Sequence, residues 1–186
     1  MITLRLSPHF TIAEATKSAQ ALRLGIDNTP NDEHMKSMRA TAVTILEPVR
    51  AHYGVPIIPS SWFRCETLER VVCWNGNGVT SAFANWCRRH GKAVDEISWQ
   101  EYFERKQHCK GEAVDFEVAG VPNLDLAKWV SRNCEFDQII LEYYNEADPN
   151  SGWVHCSHRA DGQNRKQALT FDGKSYTFGL PVEKGT

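Results

Sequence analysis

Two histidines and one aspartate have the residue types and spacing best suited to metal chemistry. His108 and Asp115 are separated by a short segment in which Gly111 is expected to let the backbone turn sharply, and His155 ends the sequence Trp-Val-His at 153–155. Zinc accepts imidazole nitrogen and carboxylate oxygen as ligands. Three protein ligands leave a fourth position open for water, which is the layout of a catalytic zinc site. The sequence therefore predicts a Zn²⁺ site at His108, Asp115 and His155.

A metal site that activates water also needs a base, and Glu142 is the first candidate. Strands are predicted at 137–144 and 153–158, joined by a polar loop. A symmetric hairpin would place Glu142 opposite His155, with Cβ atoms about 5 Å apart. The apolar residues before Glu142 could raise its pKa toward a useful range. Asp148, at the loop tip, is the alternative base.

Helices are predicted to come first among the elements that carry these residues. A capping box at 11–14 begins a short helix, and Thr29-Pro30 begins a longer one that reaches His52. Pro48 is expected to kink or end this helix, because proline lacks a backbone N–H. Residues 55–58 are apolar and partly β-branched, which favours a strand, and a short helix follows at 66–72.

The rest of the chain predicts further helices and most of the strands. The patterns are, in order, a break at 75–78, a helix at 81–90 closed by Gly91, a helix from the capping box at 98–101, a half-buried strand at 112–118, a helix capped by Asn123, and a tight hairpin around Asp172-Gly173. Helices come mostly first and strands mostly last. The predicted fold class is therefore α+β, with N-terminal helices packed on a small antiparallel sheet.

Composition excludes several classes of protein. The 186 residues are 41% hydrophobic and 24% charged, which indicates a single globular domain over 1–186 rather than a disordered chain. The formal net charge of −2 offers no general attraction for nucleic acid. No apolar run approaches the ~20 residues of a membrane helix, and the N-terminus lacks a secretory signal pattern. We expect synthesis in the cytoplasm, no nucleic-acid partner and no membrane insertion.

The motifs together resemble the zinc peptidases that act on bacterial cell-wall peptides. His-x-x-Gly-x-Ala-x-Asp at 108–115 and Trp-Val-His at 153–155 are similar to the metal motifs of this superfamily. It includes D-alanyl-D-alanine carboxypeptidases and dipeptidases, phage L-alanyl-D-glutamate endolysins and the Hedgehog signalling domain. Further similarity to the phage and prophage branch lies at 7–14, 46–50, 61–65 and 136–142.

The resemblance implies a Hedgehog/DD-peptidase-like fold and a role for each site residue. His108, Asp115 and His155 would bind zinc, Glu142 would be the base, and Arg64 would bind the substrate carbonyl or its oxyanion. A fixed guanidinium suits that role, since charge builds on this oxygen as water attacks. In the better-known relatives the base lies only a few residues before the last histidine, whereas position 152 here is glycine.

One segment departs from the resemblance. Arg64 and His108 are separated by 43 residues, where a much shorter link is expected. Residues 73–106 are therefore predicted to be a helical insertion, and they are rich in aromatic residues. They would form either a small satellite core or a lid or partner-recognition surface beside the site.

The predicted function is zinc-dependent hydrolysis of peptidoglycan stem peptides by a monomer. The resemblance allows a D-Ala-D-Ala carboxypeptidase or an L-Ala-D-Glu-type endopeptidase, in a phage or prophage lytic enzyme that reaches the cell wall after release or within a virion. One alternative is a non-catalytic virion or binding module that keeps zinc for stability. Another is a peptidase or amidase with an unrelated peptide substrate.

Overall fold

The computed structural model describes residues 4–74, 81–148 and 150–182. Its helices are α1 (Ile12–Ala15), α2 (Ala19–Leu24), α3 (Asp32–Thr41), α4 (Glu47–Tyr53), α5 (Glu66–Cys73), α6 (Ala82–His90), α7 (Glu96–Phe103) and α8 (Asn123–Asn133). Its strands are β1 (Ala113–Phe116), β2 (Gln138–Glu142), β3 (Trp153–Ser157), β4 (Gln167–Phe171) and β5 (Tyr176–Phe178). The predicted α+β class is confirmed.

The five strands form one sheet in the order β1-β3-β2-β4-β5. β3 pairs antiparallel with both β1 and β2, and β4 and β5 form the predicted antiparallel hairpin. Because both edges of β3 are occupied, β4 adds to the free edge of β2. It reverses direction relative to β3 and so runs parallel to β2, which makes the sheet mixed at this one pair.

The main core lies between one face of the sheet and the helices α3, α4 and α8. Its fully buried apolar residues include Met38, Ile45, Leu46, Val49, Val114, Phe116, Leu126, Val130, Ile139, Leu141 and Val154. Each such side chain contributes about 1.5–3 kcal/mol through burial. Successive residues of a strand point to opposite faces, so the residues between the core positions of β1, β2 and β3 lie on the other face of the sheet.

Pro48 does not end the long N-terminal helix, contrary to one of the two outcomes predicted for it. A π-helical turn at Ala42–Leu46 precedes α4, and the Glu47 N–H donates to the Ala42 carbonyl. α4 then continues through Pro48 to Tyr53. The wider turn places the proline in the first turn of α4, where its missing N–H costs little.

Three predicted helix starts are displaced by competing side-chain hydrogen bonds. The Thr29 hydroxyl donates to Asp27, and Asn31 caps α3 instead. Asp95 caps α7 by accepting from the Ser98 N–H, so this helix begins before the predicted box. Asn123 is the first residue of α8, and its side chain donates to the carbonyls of residues 150–152 rather than capping the helix.

The strand predicted at 55–58 does not form. Pro56 and Pro59 flank Ile57, and proline cannot donate to a strand ladder. Ser61 instead makes an isolated bridge to Asp115 at the free edge of β1. The strand predicted at 112–118 is present as β1, but all four of its residues are buried, since helices cover one face and the polar residues described below cover the other.

The end of α5 and residues 81–103 build a second, smaller core. Its buried members are Cys73, Phe83, Trp86, Cys87, Trp99 and Tyr102, with Trp74 and Phe103 packed against them. This matches the predicted satellite core, whereas the origin of 73–106 as an insertion stays a prediction. The break predicted at 75–78 lies outside the described residues. Among the helices that the structure describes, none is long and apolar enough to cross a bilayer.

Candidate metal centre and active site

Asp115 and His155 face each other across neighbouring strands. β1 and β3 pair so that the two residues are directly opposite, and Asp115 Oδ1 lies 2.9 Å from His155 Nδ1. Backbone hydrogen bonds also hold Asp115 at the other edge of β1. Its N–H donates to the Ser61 carbonyl at 2.7 Å, and its carbonyl accepts from the Ser60 N–H at 2.9 Å. The carboxylate is therefore carried by backbone fixed on both sides.

His108 reaches the same point from a 3₁₀ turn, His108–Lys110, just before β1. The turn ends at Gly111, whose φ of +72° is the left-handed conformation that favours glycine. A Cβ at Gly111 would lie 2.7 Å from the His34 carbonyl oxygen on α3. The predicted sharp turn at Gly111 is thus confirmed, and it brings His108 Nε2 to 3.3 Å from Asp115 Oδ2.

The hydrogen bond between His108 and the Trp62 carbonyl leaves the lone pair of His108 Nε2 facing Asp115. His108 Nδ1 lies 2.6 Å from the Trp62 carbonyl oxygen, which can only accept, so Nδ1 carries the proton. Burial lowers the pKa of His108, which favours the neutral ring with an unprotonated Nε2. A lone pair and a carboxylate oxygen therefore face each other at 3.3 Å with no proton between them.

The side chains of His108, Asp115 and His155 meet the requirements of a divalent cation. One ligand atom from each lies within 4.8 Å of the other two, and all three residues are buried. Although burial opposes its ionisation, the two histidines hold the pKa of Asp115 well below its usual range. Two imidazoles and one carboxylate are a donor set that fits zinc.

Arg64 lies beside this group with its guanidinium held in place. Its Nε donates to Glu69 Oε2 at 2.6 Å and its Nη1 donates to Ser61 Oγ at 2.6 Å. The Arg64 backbone N–H donates to the His108 carbonyl at 3.4 Å. The segment that supplies Ser61 and Arg64 is therefore bonded to both β1 and the His108 turn, which fixes Arg64 relative to the predicted ligands.

Glu142 lies on the same face of the sheet as His155, but the predicted hairpin register is wrong. β2 and β3 pair Ile140 with His155 and Glu142 with Trp153. The shift of two residues keeps Glu142 on the predicted face, because side chains alternate with a period of two. Burial, assisted by Asp115, raises the Glu142 pKa, and the described residues offer its carboxylate no hydrogen-bond partner.

Gly152 lies where the β2–β3 ladder ends, directly beyond the closing pair of Glu142 and Trp153. Its φ is +66°, and a Cβ there would lie 1.6 Å from the Glu142 carbonyl oxygen. Tyr143, on the other arm, also has a positive φ of 52°. No side chain can occupy position 152 in this backbone, so the base of this site cannot come from that position.

Asp148 is poorly placed to act on water at the site. It is exposed in the loop, where its carboxylate accepts from the Asn150 N–H at 3.0 Å. It does not line the cleft that contains the other candidates. The structure thus brings Arg64, His108, Asp115, Glu142 and His155 together and leaves Asp148 apart.

A cleft of about 930 Å³ opens over these five residues. α6, α7 and the residues after α7 form one wall, and the β4–β5 hairpin contributes Phe171, Lys174 and Tyr176 to another. The segment predicted as an insertion therefore provides both a satellite core and a wall of the cleft. The charged lining residues are Arg64, Arg88, Arg89, Arg105, Lys106 and Lys174 against Asp115 and Glu142.

Sequence reasoning missed two polar residues next to the site. Glu69 is fully buried on α5 and forms the ion pair with Arg64. The sequence feature that could have revealed Glu69 is its place on the same helical stripe as Leu68 and Cys73, which are both buried. Gln107 contacts His155, but a glutamine one position before a histidine carries no recognisable pattern.

Comparison with known proteins points to a peptidase. Residues 8–83 match the family model described as Peptidase M15. The matched segment contains Arg64 and Ser61, and it ends before His108. Among curated proteins, none matches this chain. The match supports a relationship to the M15 peptidases, which agrees with the resemblance drawn from the short motifs.

Proposed function

We propose that this protein is a zinc-dependent hydrolase of peptidoglycan stem peptides that acts as a monomer. The observation that carries the proposal is the convergence of His108, Asp115 and His155 in a cleft that also contains Arg64 and Glu142. The Peptidase M15 match over residues 8–83 supports the same reaction class. By resemblance of its short motifs we extend the proposal to cell-wall lysis in a phage or prophage setting, after release or within a virion.

In this proposal His108, Asp115 and His155 hold the cation. When bound, zinc would lower the pKa of water and polarise the scissile carbonyl. Glu142 accepts a proton from the attacking water and passes it to the leaving amine. Burial shifts the pKa of Glu142 upward, toward neutral pH. Such a shift suits a group that must first accept a proton and then donate it.

Arg64 stabilises the charge that develops on the carbonyl oxygen as water attacks. Its two hydrogen bonds, to Glu69 and Ser61, hold the guanidinium before substrate arrives. A donor that is already oriented needs no reorganisation during the reaction, and this preorganisation is the main source of such stabilisation.

The charge of the cleft favours an acidic peptide. The chain as a whole has a net charge of −2, yet six basic and two acidic residues line the cleft. Clefts lined by one sign of charge concentrate ligands of the opposite sign. Stem peptides carry free carboxylates, so this lining supports them over neutral peptides as substrates.

Digestion of purified peptidoglycan tests the proposal. The zinc-loaded protein should release peptide fragments, whose new termini identify the cleaved bond by mass spectrometry. Chelation should stop the release and added zinc should restore it. The variant His108→Ala should be inactive under the same conditions.

Two outcomes would contradict the proposal. Zinc that raises the melting temperature without any release of fragments would indicate a non-catalytic module. Cleavage of an unrelated protein such as casein, with intact peptidoglycan, would indicate a peptidase of different specificity. Comparing an acidic stem peptide with its carboxylate-amidated form measures the contribution of the basic lining.

A further inference from the structure

We propose that Gln107 and Asp137 are positioning residues that fix the tautomer of His155 and present its Nδ1 to the cation. The proposal rests on the proposed function only in treating His155 as a metal ligand. It concerns hydrogen bonds that lie behind the site, between the turn that carries His108 and the start of β2. Gln107 was not singled out by its sequence context, and Asp137 entered only as part of the similarity at 136–142.

The contacts form a continuous chain. Gln107 Oε1 lies 3.1 Å from His155 Nε2. The Gln107 side-chain amide nitrogen donates to Asp137 Oδ2 and to Ser157 Oγ, each at 2.8 Å. The side chain of Asp137 is 1% exposed, and its carboxylate accepts from the Arg165 backbone N–H and from Arg165 Nε, both at 2.9 Å.

The charge of Asp137 decides which way the Gln107 amide points. Although burial opposes ionisation, Arg165 holds the pKa of Asp137 below its usual range. An ionised carboxylate only accepts hydrogen bonds, so the Gln107 group that faces it must be the NH₂. The amide oxygen is then left to face His155.

The amide oxygen in turn decides the tautomer of His155. Because Gln107 Oε1 can only accept, His155 Nε2 must carry a proton. In the neutral ring, Nδ1 is then unprotonated, and it lies 2.9 Å from Asp115 Oδ1. Without this chain the ring would gain by placing its proton on Nδ1 and donating to Asp115, which would block the lone pair needed by a metal.

Gln107 also connects the two histidines. It directly precedes His108, whose own Nδ1 is fixed by the Trp62 carbonyl. Adjacent residues therefore connect the two rings: His108 is oriented by the Trp62 carbonyl, and Gln107 beside it orients His155. Partners of this kind behind a metal ligand are worth about 10–100-fold in metal affinity.

The variant Gln107→Met tests the proposal, since methionine has a similar length and its thioether is only a weak hydrogen-bond acceptor for His155. Zinc affinity is measured by competition with a chromophoric chelator. The His155 tautomer is read from ring ¹⁵N shifts of the zinc-free protein at a pH where the ring is neutral. We expect a protonated Nε2 in the unmodified protein, loss of that tautomer in Gln107→Met, and zinc binding weaker by about 10–100-fold.

Gln138→Met is the matched control. Gln138 is a partly buried glutamine nearby, and its side chain bonds to Gln167 rather than to a histidine. We expect this variant to keep the zinc affinity and the His155 tautomer. Equal loss of zinc affinity in both variants would mean that any cavity near β2 has this effect, and it would overturn the proposal.

A double variant tests the direction of the hydrogen bonds. In Gln107→Glu with Asp137→Asn, the asparagine amide can donate to the new carboxylate, whose other oxygen still accepts from His155 Nε2. We expect zinc affinity and tautomer to be restored relative to Gln107→Met. A protonated Nδ1 in the unmodified protein, or a Gln107→Met variant with unchanged tautomer and affinity, would overturn the proposal. Tight zinc binding without peptidoglycan cleavage would remove the proposed function and leave this inference standing.

Discussion

Glu142 and His155 lie on the same face of the sheet and are offset by two residues, because β2 and β3 pair Glu142 with Trp153 and Ile140 with His155. Diagonal neighbours of this kind are roughly 7–8 Å apart at their Cα atoms. This separation leaves room for water and substrate between a base and a metal ligand. A directly opposed pair, about 5 Å apart at Cβ, would leave less.

This offset leads to a prediction for Glu142→Gln. The amide cannot accept the proton, so kcat should fall at least ~100-fold, the contribution of a proton-transfer group. Zinc affinity should be unchanged, because Glu142 is not among the converging ligand atoms. Release of stem-peptide fragments by liquid chromatography gives the rate, and chelator competition gives the affinity.

Asp148→Asn is the matched control for the base. Asp148 is exposed and does not line the cleft, so this variant should cleave at the rate of the unmodified protein. If Asp148→Asn lost activity while Glu142→Gln kept it, the roles assigned to the two carboxylates would be exchanged.

Zinc should stabilise the folded protein. A ligand present at 100 times its dissociation constant contributes about 2.7 kcal/mol if it binds only the native state. Chelation should therefore lower the melting temperature, measured by calorimetry, and zinc should restore it. His108→Ala should abolish the response. His52→Ala, which removes a ring stacked on Trp129 away from the cleft, should retain it.

Arg64→Lys should lower kcat by about 10²-fold, the lower bound for loss of one oxyanion donor. Lysine keeps the charge opposite Glu69 but lacks the planar fork that bonds to Glu69 and Ser61 together. Zinc affinity should be unchanged. The exposed residue Arg39 on α3 provides the control substitution Arg39→Lys, and a similar loss in both variants would argue against a role for Arg64.

The buried ion pair of Arg64 and Glu69 should make the free energy of unfolding depend on pH. Although burial opposes ionisation of Glu69, Arg64 and Lys106 bring its pKa below the ordinary value of 4.5. A pKa that is lower in the folded state gives stability that is present above 4.5 and is lost as the pH falls through the folded value. Glu69→Gln lacks this contribution.

Urea unfolding of both proteins between neutral pH and pH about 3 measures this effect. The free energy of unfolding should be higher for the unmodified protein at neutral pH, since removing one partner leaves the Arg64 charge unpaired. The difference should shrink as the solution is acidified below the ordinary glutamate value. A difference that stays constant over this range would contradict the pairing.

Gly152→Ala should destabilise the β2–β3 hairpin strongly. The positive φ alone costs about 1–2 kcal/mol for a residue with a Cβ. The contact of that Cβ with the Glu142 carbonyl adds an overpacking cost of about 1–3 kcal/mol or more. Gly162→Ala is the control, because its φ is also positive, +77°, and a Cβ there would meet nothing within 4 Å. Equal losses in urea unfolding would exclude the steric contribution.

Local patterns in the sequence predicted much of the fold. The capping box at 11–14, the helix from Ser81 to Gly91 and the hairpin at Asp172-Gly173 all form as expected. Each of these features depends on residues that are only a few positions apart, so a short stretch of sequence is enough to predict it. The starts of α3 and α7 were misplaced because two capping residues competed within a few positions, and propensity alone does not choose between them.

The candidate site divides in the same way. His108, Asp115 and His155 could be selected from sequence, because ligand chemistry depends on residue type and the motif around them is short. The register that offsets Glu142 from His155 could not, since it depends on the backbone conformation at Gly152 and Tyr143. The parallel pairing of β2 and β4 likewise depends on which sheet edge remains free.

The sequence by itself determined which side chains could bind a cation, the order of helices before strands, and the sharp turn at Gly111. Only the tertiary structure decided which partners orient those side chains: Glu69 for Arg64, the Trp62 carbonyl for His108 and Gln107 for His155. The physical reason is that a hydrogen bond depends on distances and angles of a few tenths of an ångström and a few degrees. Such precision between residues that are distant in the chain arises only once both packed cores have formed.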